Sequence, residues 1–449
     1  MSRKIAIIGA GAASMAAINQ ILTDTEASGD ETIDVYDGRN RWGGRTLTEM
    51  VGDEPVDIGA EAIENEQSQW LTLLAKSNEN LTWKKALNTP TTGLYWANNK
   101  TQTPNDAGDA ENELEFANNR VVDIINNQIS FPEQDTAAAN PQLCENPTDL
   151  LKVYMNFTSS EAIEPWIFSA TDRNRFQSGS VALFPYLSTT GKRQGLGDEF
   201  ASFGNYLVDQ SAGRITTLWG KHITAIQASQ DPGSQGFTVV DSNSQATAGY
   251  DAVLITVPVP LLSELSLPYT ADQIVKTTID GIELGHYLKI AYDWPEAVKY
   301  CTNAGDGGFW GWFADPMGQY MWQLQAFPDS EVLIASITGS YAQLRSASLE
   351  KSALLLQNQL ITTFNNINPP KEYVTYSWSD HPQSKGCYSH CRAGHAENRD
   401  QFSRLYFPGL YFAGEAMSLG YYGQLDGAYE TAITAAKNVI SYLSTLPDE

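Results

Sequence analysis

Near its start the chain reads strand, helix, strand. Lys4 to Ile8 is a short apolar run rich in β-branched residues, which suits a parallel strand buried on both faces. A glycine-rich turn and a helical stretch follow, and Thr32 to Tyr36 makes a second apolar run ending at Asp37. Further on, RITTLWGKHITAIQAS, GFTVVDS and YDAVLITVPVPLL read as short strands joined by turns, and LYFAGEA precedes a long terminal helix. Two intervening stretches differ in texture. Residues 83–195 are rich in Asn and Gln and read as helices with polar loops, NNQISFPEQDTAAANPQLCENP being an exposed loop. Residues 266–394 carry the alternating strands LKIAYDW, GQYMWQLQAF and VLIASITG, then a helix across SLEKSALLLQNQLITTFNNI. That alternation predicts an antiparallel sheet with one face covered. The pattern predicts an α/β chain: a Rossmann-like nucleotide-binding domain from 1–82, 196–265 and 395–449, and a substrate domain of antiparallel sheet and helices from 83–195 and 266–394.

The first turn has the chemistry of a dinucleotide site. Gly9 allows a tight exit from the strand, and Gly11 lets a pyrophosphate approach the backbone. The helix beginning there offers free N–H groups and the positive end of its dipole. Ser14 stands where a third glycine usually lies and is small enough for close helix–strand packing. Asp37 can accept hydrogen bonds from ribose hydroxyls. Arg39, Arg41 and Gly43-Gly44-Arg45 follow, a tail that points to flavin rather than nicotinamide. Gly43 and Gly44 let a loop pass close to the ring, and Arg45 can neutralise the pyrophosphate.

Composition narrows the partners. At 449 residues the chain is long enough for two cores, and 42% apolar content marks it as globular. A formal net charge of −25 argues against nucleic acid and anionic membrane as partners. It reads as a solvated acidic surface rather than a lure for cationic substrate. The first strand leaves no room for a signal peptide, and no apolar stretch has the length of a membrane span, so the expected location is the cytoplasm. Cys144, Cys301, Cys387 and Cys391 show no disulfide framework. Cys387 and Cys391 with His390 or His395 form the one grouping a zinc ion could use, and no metal is expected.

Four separated motifs then carry a resemblance to the flavin-containing amine oxidases, the group of monoamine, polyamine and L-amino-acid oxidases. They are the glycine turn; Asp37 to Arg45 followed by Val56-Asp57-Ile58-Gly59-Ala60; Leu288-Lys289-Ile290 in a strand ending at Asp293-Trp294; and Leu410 to Glu415 followed by Gly427-Ala428. The resemblance implies FAD held by Gly9, Gly11, Ser14, Asp37, Arg39, Gly44 and Arg45, with Ile223 in the strand beside adenine. It places Gly414, Glu415 and Leu425 over the ribityl chain and pyrimidine edge. Lys289, out of place in an apolar strand, is implied to hold a water against flavin N5 and to assist reaction with oxygen. Gly386-Cys387-Tyr388 resembles the stretch in which a cysteine bonds the flavin 8α carbon and a tyrosine walls an amine cage. Cys387 is read either as that link or as a packed small residue, and noncovalent FAD is preferred. The second cage position falls on Gln424, with Tyr421 and Tyr422 close but out of register.

Specificity is read from differences. Amino-acid oxidases of this group resemble one another in an arginine that clamps the substrate carboxylate; here the chain reads Gly59-Ala60-Glu61-Ala62-Ile63. Arg173, Arg175 or Arg193 are the alternative clamps. Trp310, Trp312, Trp322 and Tyr320 are candidates for an apolar pocket, with core packing preferred. The expected activity is FAD-dependent oxidation of a C–N bond in an amine or amino acid, with hydride transfer to flavin N5 and O2 reduced to hydrogen peroxide. The alternatives are an L-amino-acid oxidase specifically and a flavin-binding partner that modifies or chaperones a second protein. A homodimer is the candidate assembly.

Overall fold

A computed structural model describes residues 3–25, 31–85, 91–96, 100–101, 162–164, 167–177, 181–229, 236–302, 309–314, 321–327, 329–364 and 366–447. The loop expected around residues 126–147 lies outside them, as do Tyr320 and the side chains of Trp310 and Trp312.

Five parallel strands form one sheet in the order Leu410–Phe412, Ala252–Ile255, Lys4–Ile8, Thr32–Asp37, Ile215–Trp219. The apolar run of the first strand is continuous because both of its faces are covered. Ile5 and Ile7 point to a core shared with the helices Ala12–Asp24, Leu196–Gln210 and Leu425–Leu443. Ala6 and Ile8 point the other way, to a core shared with the strands Ile223–Ala228 and Phe237–Asp241 and the helix Tyr269–Ile279. Helices Ala12–Asp24 and Leu425–Leu443 meet through Ala13, Ala16 and Ala17 on one side and Ala428, Ala432 and Ala435 on the other, small faces that bring the axes close.

A second sheet has seven strands, ordered Glu372–Ser377, Tyr287–Asp293, Val332–Thr338, Met321–Ala326, Phe309–Ala314, Thr91–Trp96, Lys100–Thr101. Its pairs are antiparallel except for Phe309–Ala314 with Thr91–Trp96, which run parallel. Leu288, Ile290 and Tyr292 face a core with the helix Leu349–Thr363. Trp322 joins that same core and is buried. The period of two turns Tyr287, Lys289 and Ala291 to the opposite face. Register then sets Lys289 beside Ser336, and Ser336 beside Gln323.

Most of 83–195, with 102–161 throughout, lies outside the described residues, and the described part departs from an all-helical expectation. Besides the short helix Ala170–Arg175, it contains the strands Thr91–Trp96 and Leu183–Leu187, the latter paired with Leu81–Lys85. Leu183–Leu187 is completed by Leu81–Lys85, about a hundred residues back, and Thr91–Trp96 by Phe309–Ala314, more than two hundred residues on, neither of which a local pattern reveals. Among the described residues no helix is long and apolar enough to cross a membrane.

Candidate active site

Two glycine loops meet at the ends of the parallel strands. Gly9 takes φ +111°, and a Cβ there would lie 2.5 Å from Thr256 Oγ1, so no side chain fits. Gly43 N donates to Ala10 O at 2.9 Å, bringing the second loop against the first. Gly44, at φ +64°, would set a Cβ 3.0 Å from Gly11 Cα. Arg41 braces this second loop through Nη1 to Thr46 O at 2.8 Å and Nη2 to Gly44 O at 2.8 Å. The Trp42 ring is buried where a Cβ on Gly204 would come within 2.2 Å of it. Ser14 lies below the turn, donating to Gly9 O at 2.6 Å and bonded to Thr256 Oγ1 at 2.7 Å. It is fully buried and supports the loop from beneath rather than lining the cavity.

Asp37 Oδ2 accepts from Ala10 N at 2.9 Å, and Oδ1 accepts from the Arg39 backbone and Nε at 2.8 and 3.0 Å. Arg39 Nη1 also donates to Gly44 O at 3.0 Å. Arg45 donates to Cys387 O and, at 2.8 Å, to Glu415 Oε1. Glu415 Oε2 accepts from Ser389 Oγ at 2.6 Å and Gly423 N at 2.7 Å. Burial opposes its charge, but Arg45 and these donors hold the carboxyl below its ordinary range.

These groups border one cavity of about 960 Å³. Gly9, Gly11, Asp37, Arg39, Gly44, Arg45 and Ile223 line one end. Gly414, Glu415, Leu425, Gln424, Cys387, Tyr388 and Lys289 also line it, so of the residues that the resemblance assigns to FAD, to the amine cage and to the oxygen step only Ser14 stands back. Burial pushes the Cys387 thiol up to about 12. Gln424 precedes the final helix and donates through Nε2 to Gln177 O at 2.9 Å.

Lys289 places a buried charge in the cavity wall. It is 2% exposed, and its Nζ donates to Asp57 O at 2.9 Å and to Glu61 Oε2 at 3.0 Å. Gln325 Nε2 reaches Glu61 Oε1 at 3.3 Å. Burial disfavours both charges, yet each sustains the other: Glu61 raises the lysine above its usual value, and Lys289 with Arg193 holds the carboxyl below its own. Asp57 anchors the carbonyl by accepting from Leu196 N and Gly197 N at 2.9 and 3.0 Å, at the start of a helix.

Sequence reasoning noted Glu61 only as the absence of an arginine and missed its pairing with Lys289. It also missed Gln323, Gln325 and Ser336, which line the cavity. The signal for these was the polar phase of otherwise apolar strands. Tyr422 and Phe176 line the wall as well, their rings 5.0 Å apart. Of the three arginines considered as clamps, Arg173 lines the cavity. Arg175 pairs with Asp400 at 2.7 Å, and Arg193 stacks on Phe327 at 4.0 Å. Among the described residues no group of three or more His, Cys, Asp or Glu could hold a metal ion.

The sequence profile of the flavin containing amine oxidoreductases matches residues 26–440. The chain is 28% identical over 203 residues to probable polyamine oxidase 4 of Arabidopsis thaliana, covering 43% of this chain and 39% of that protein. It is 24% identical to lysine-specific histone demethylase 1 homolog 2 of the same plant, covering 97% of this chain and 58% of that protein. The matches thus span less than two thirds of these curated relatives. A redesigned double mutant of putrescine oxidase shares the fold at TM-score 0.70 and 15% identity, with 98% of this chain and 99% of that one aligned. The wild type of that enzyme, bound to putrescine, aligns at TM-score 0.69 and 14% identity.

The residues present fit FAD. The bare glycine floor at Gly11 and Gly44 suits a pyrophosphate, with Arg45 as the cation beside it. A Cβ on Gly414 would meet nothing within 4 Å, leaving open space on that side. Among the described residues a Cβ on Gly11 would meet only Gly44 Cα, at 3.8 Å, so a substitution there fills the cavity and not the core. Gly11→Val is expected to leave the circular dichroism spectrum unchanged and to weaken FAD binding at least a hundredfold, roughly 3 kcal/mol. A Gly11→Val protein purified with full flavin absorbance would show that the pyrophosphate lies elsewhere.

Proposed function

The chain belongs to the flavin containing amine oxidoreductases, and from that premise we propose that it oxidises a C–N bond of a di- or polyamine that carries no carboxylate. Gly9, Gly11, Asp37, Arg39, Gly44 and Arg45 would hold FAD, which when bound would supply the hydride acceptor and a route for the electrons to O2, giving hydrogen peroxide. The observation that carries the amine reading is Glu61, an ionised carboxylate in the cavity wall beside Lys289. A carboxylate there repels an amino acid's own carboxylate and attracts an ammonium. Among the described residues each Glu61 oxygen has one hydrogen-bond partner, Lys289 or Gln325, and a carboxylate oxygen can accept a second bond. A remote ammonium of the substrate can therefore be received there, while the reacting nitrogen is neutral between Tyr388, Tyr422 and Phe176. The names carried by the relatives, polyamine and putrescine oxidases, support the same class.

A second reading rests on Arg173, which lines the cavity and could hold a carboxylate. A peroxide-release screen separates the two. Diamines are expected to be turned over and L-amino acids not, and Glu61→Gln is expected to raise KM for a diamine about tenfold, the worth of one charge-assisted hydrogen bond. Peroxide from L-amino acids alone would favour Arg173 as a clamp and overturn the amine reading.

Lys289 serves the oxygen step, where negative charge develops. Lys289→Met is expected to slow flavin reoxidation about a hundredfold, and flavin reduction far less, in stopped-flow traces. The lysine lies above its usual value and Glu61 below its own, so both stay charged from about pH 6 to about pH 9. The parent's reoxidation rate is then flat across that window. An unaltered oxidative rate in Lys289→Met would remove the residue from this role.

FAD is held without a covalent bond in this proposal. A buried thiol pushed up to about 12 offers little thiolate for attack on the flavin methyl carbon. Acid precipitation is expected to leave the yellow colour in the supernatant; colour in the pellet, lost in Cys387→Ala, would mean a link through sulfur.

A further inference from the structure

Behind the cavity wall lies an ion pair that the proposed chemistry does not use. Arg399 and Asp172 are both fully buried. Arg399 Nε donates to Asp172 Oδ1 at 2.9 Å and Nη2 donates to Oδ2 at 2.9 Å, a two-pronged contact. Asp172 Oδ2 also accepts from Cys391 N at 3.1 Å. The remaining prong, Nη1, donates to Ala416 O at 2.8 Å and to Ser389 Oγ at 3.0 Å. The guanidinium lies 4.1 Å over the Tyr422 ring, and that tyrosine donates to Asp172 O at 3.2 Å.

Burying two charges costs several kcal/mol, and a well-packed apolar pair is often at least as stable. Stability alone therefore explains the pair poorly; what the pair touches explains it better. Ser389 has one hydroxyl proton and two lone pairs. Arg399 can only donate, so it takes a lone pair of Oγ and leaves the Ser389 proton for the other neighbour, Glu415 Oε2, at 2.6 Å. Glu415 Oε1 in turn receives Arg45. The result is a directed chain from Asp172 through Arg399, Ser389 and Glu415 to Arg45, ending on the cavity.

We propose that Arg399 and Asp172 are a positioning pair for FAD: they fix the Ser389 hydroxyl as a donor to Glu415 and so hold Glu415 and Arg45 at the cofactor end of the cavity. Neither Arg399 nor Asp172 lines the cavity, so the pair acts through Ser389 and Glu415. This inference rests on FAD binding, which family membership carries, and not on which amine is oxidised.

The test is FAD dissociation from the holoprotein, followed by the fluorescence of released flavin. Arg399→Lys, Ser389→Ala and the double variant are compared with the parent, in a Cys387→Ala background should acid treatment show a covalent flavin. Each single change is expected to weaken FAD about tenfold, and the double change no more than Ser389→Ala alone, because both cut one chain. Asp172→Asn is expected to follow Arg399→Lys and replaces it if the lysine variant does not fold. A purely structural pair would give another pattern, with Arg399→Lys costing the same factor of FAD affinity with or without Ser389. That pattern, or parent-like affinity in Ser389→Ala, would overturn the proposal. A parent protein that holds no FAD would overturn it together with the cofactor assignment.

Discussion

The near-contact of two backbone loops governs the rest of this molecule. Gly11 and Gly44 approach so closely that a single Cβ on Gly44 would sit 3.0 Å from Gly11 Cα. That proximity exists because parallel strands deliver the first loop to their carboxyl ends, where open α/β sheets leave a crevice. The second loop is then tied down by charges on its own flank. Arg41 and Arg39 both donate to Gly44 O, and Asp37 holds Arg39. The arginines thus satisfy carbonyls that a glycine-rich loop would otherwise leave unpaired. Arg45, next in the chain, is left facing the cavity with Glu415 as its partner.

Much of this was legible because the governing features are local. Continuous apolar runs ending in glycine announce strands buried on two faces, and the glycine turn with Asp37 is contained in a few tens of residues. Lys289 stood out because a cation is out of place in the apolar run Leu288-Lys289-Ile290-Ala291, and the family resemblance supplied its role. What was not legible is the company it keeps. Glu61 lies 228 residues away, and nothing in the spacing of either residue joins them. The strands Leu81–Lys85 and Leu183–Leu187 escaped notice for the same reason, since each is completed by the other. In Met321–Ala326 the alternation itself was plain, but which phase met a core was not. Trp322 and Leu324 pack inward, and Gln323 and Gln325 look into a cavity rather than solvent.

Charge in the site follows a different logic from charge on the whole chain. The net charge of −25 says little about chemistry. Inside the cavity each carboxylate named here is answered: Asp37 by Arg39, Glu415 by Arg45, Glu61 by Lys289. Low dielectric makes such pairing obligatory, and the pairing offsets the cost that burial places on the charges of Lys289 and Glu61. The glycine floor beside Arg45 thereby suits a pyrophosphate, and the Glu61 carboxylate suits the cation of the proposed substrate.

The most direct test of that arrangement is the visible spectrum of the purified protein during anaerobic addition of a diamine. The flavin band is expected to be present at one equivalent per chain, to bleach as the amine is added, and to return when oxygen is admitted. A protein without a flavin band, or one whose band no amine bleaches, would contradict the joining of FAD and amine in this one cavity.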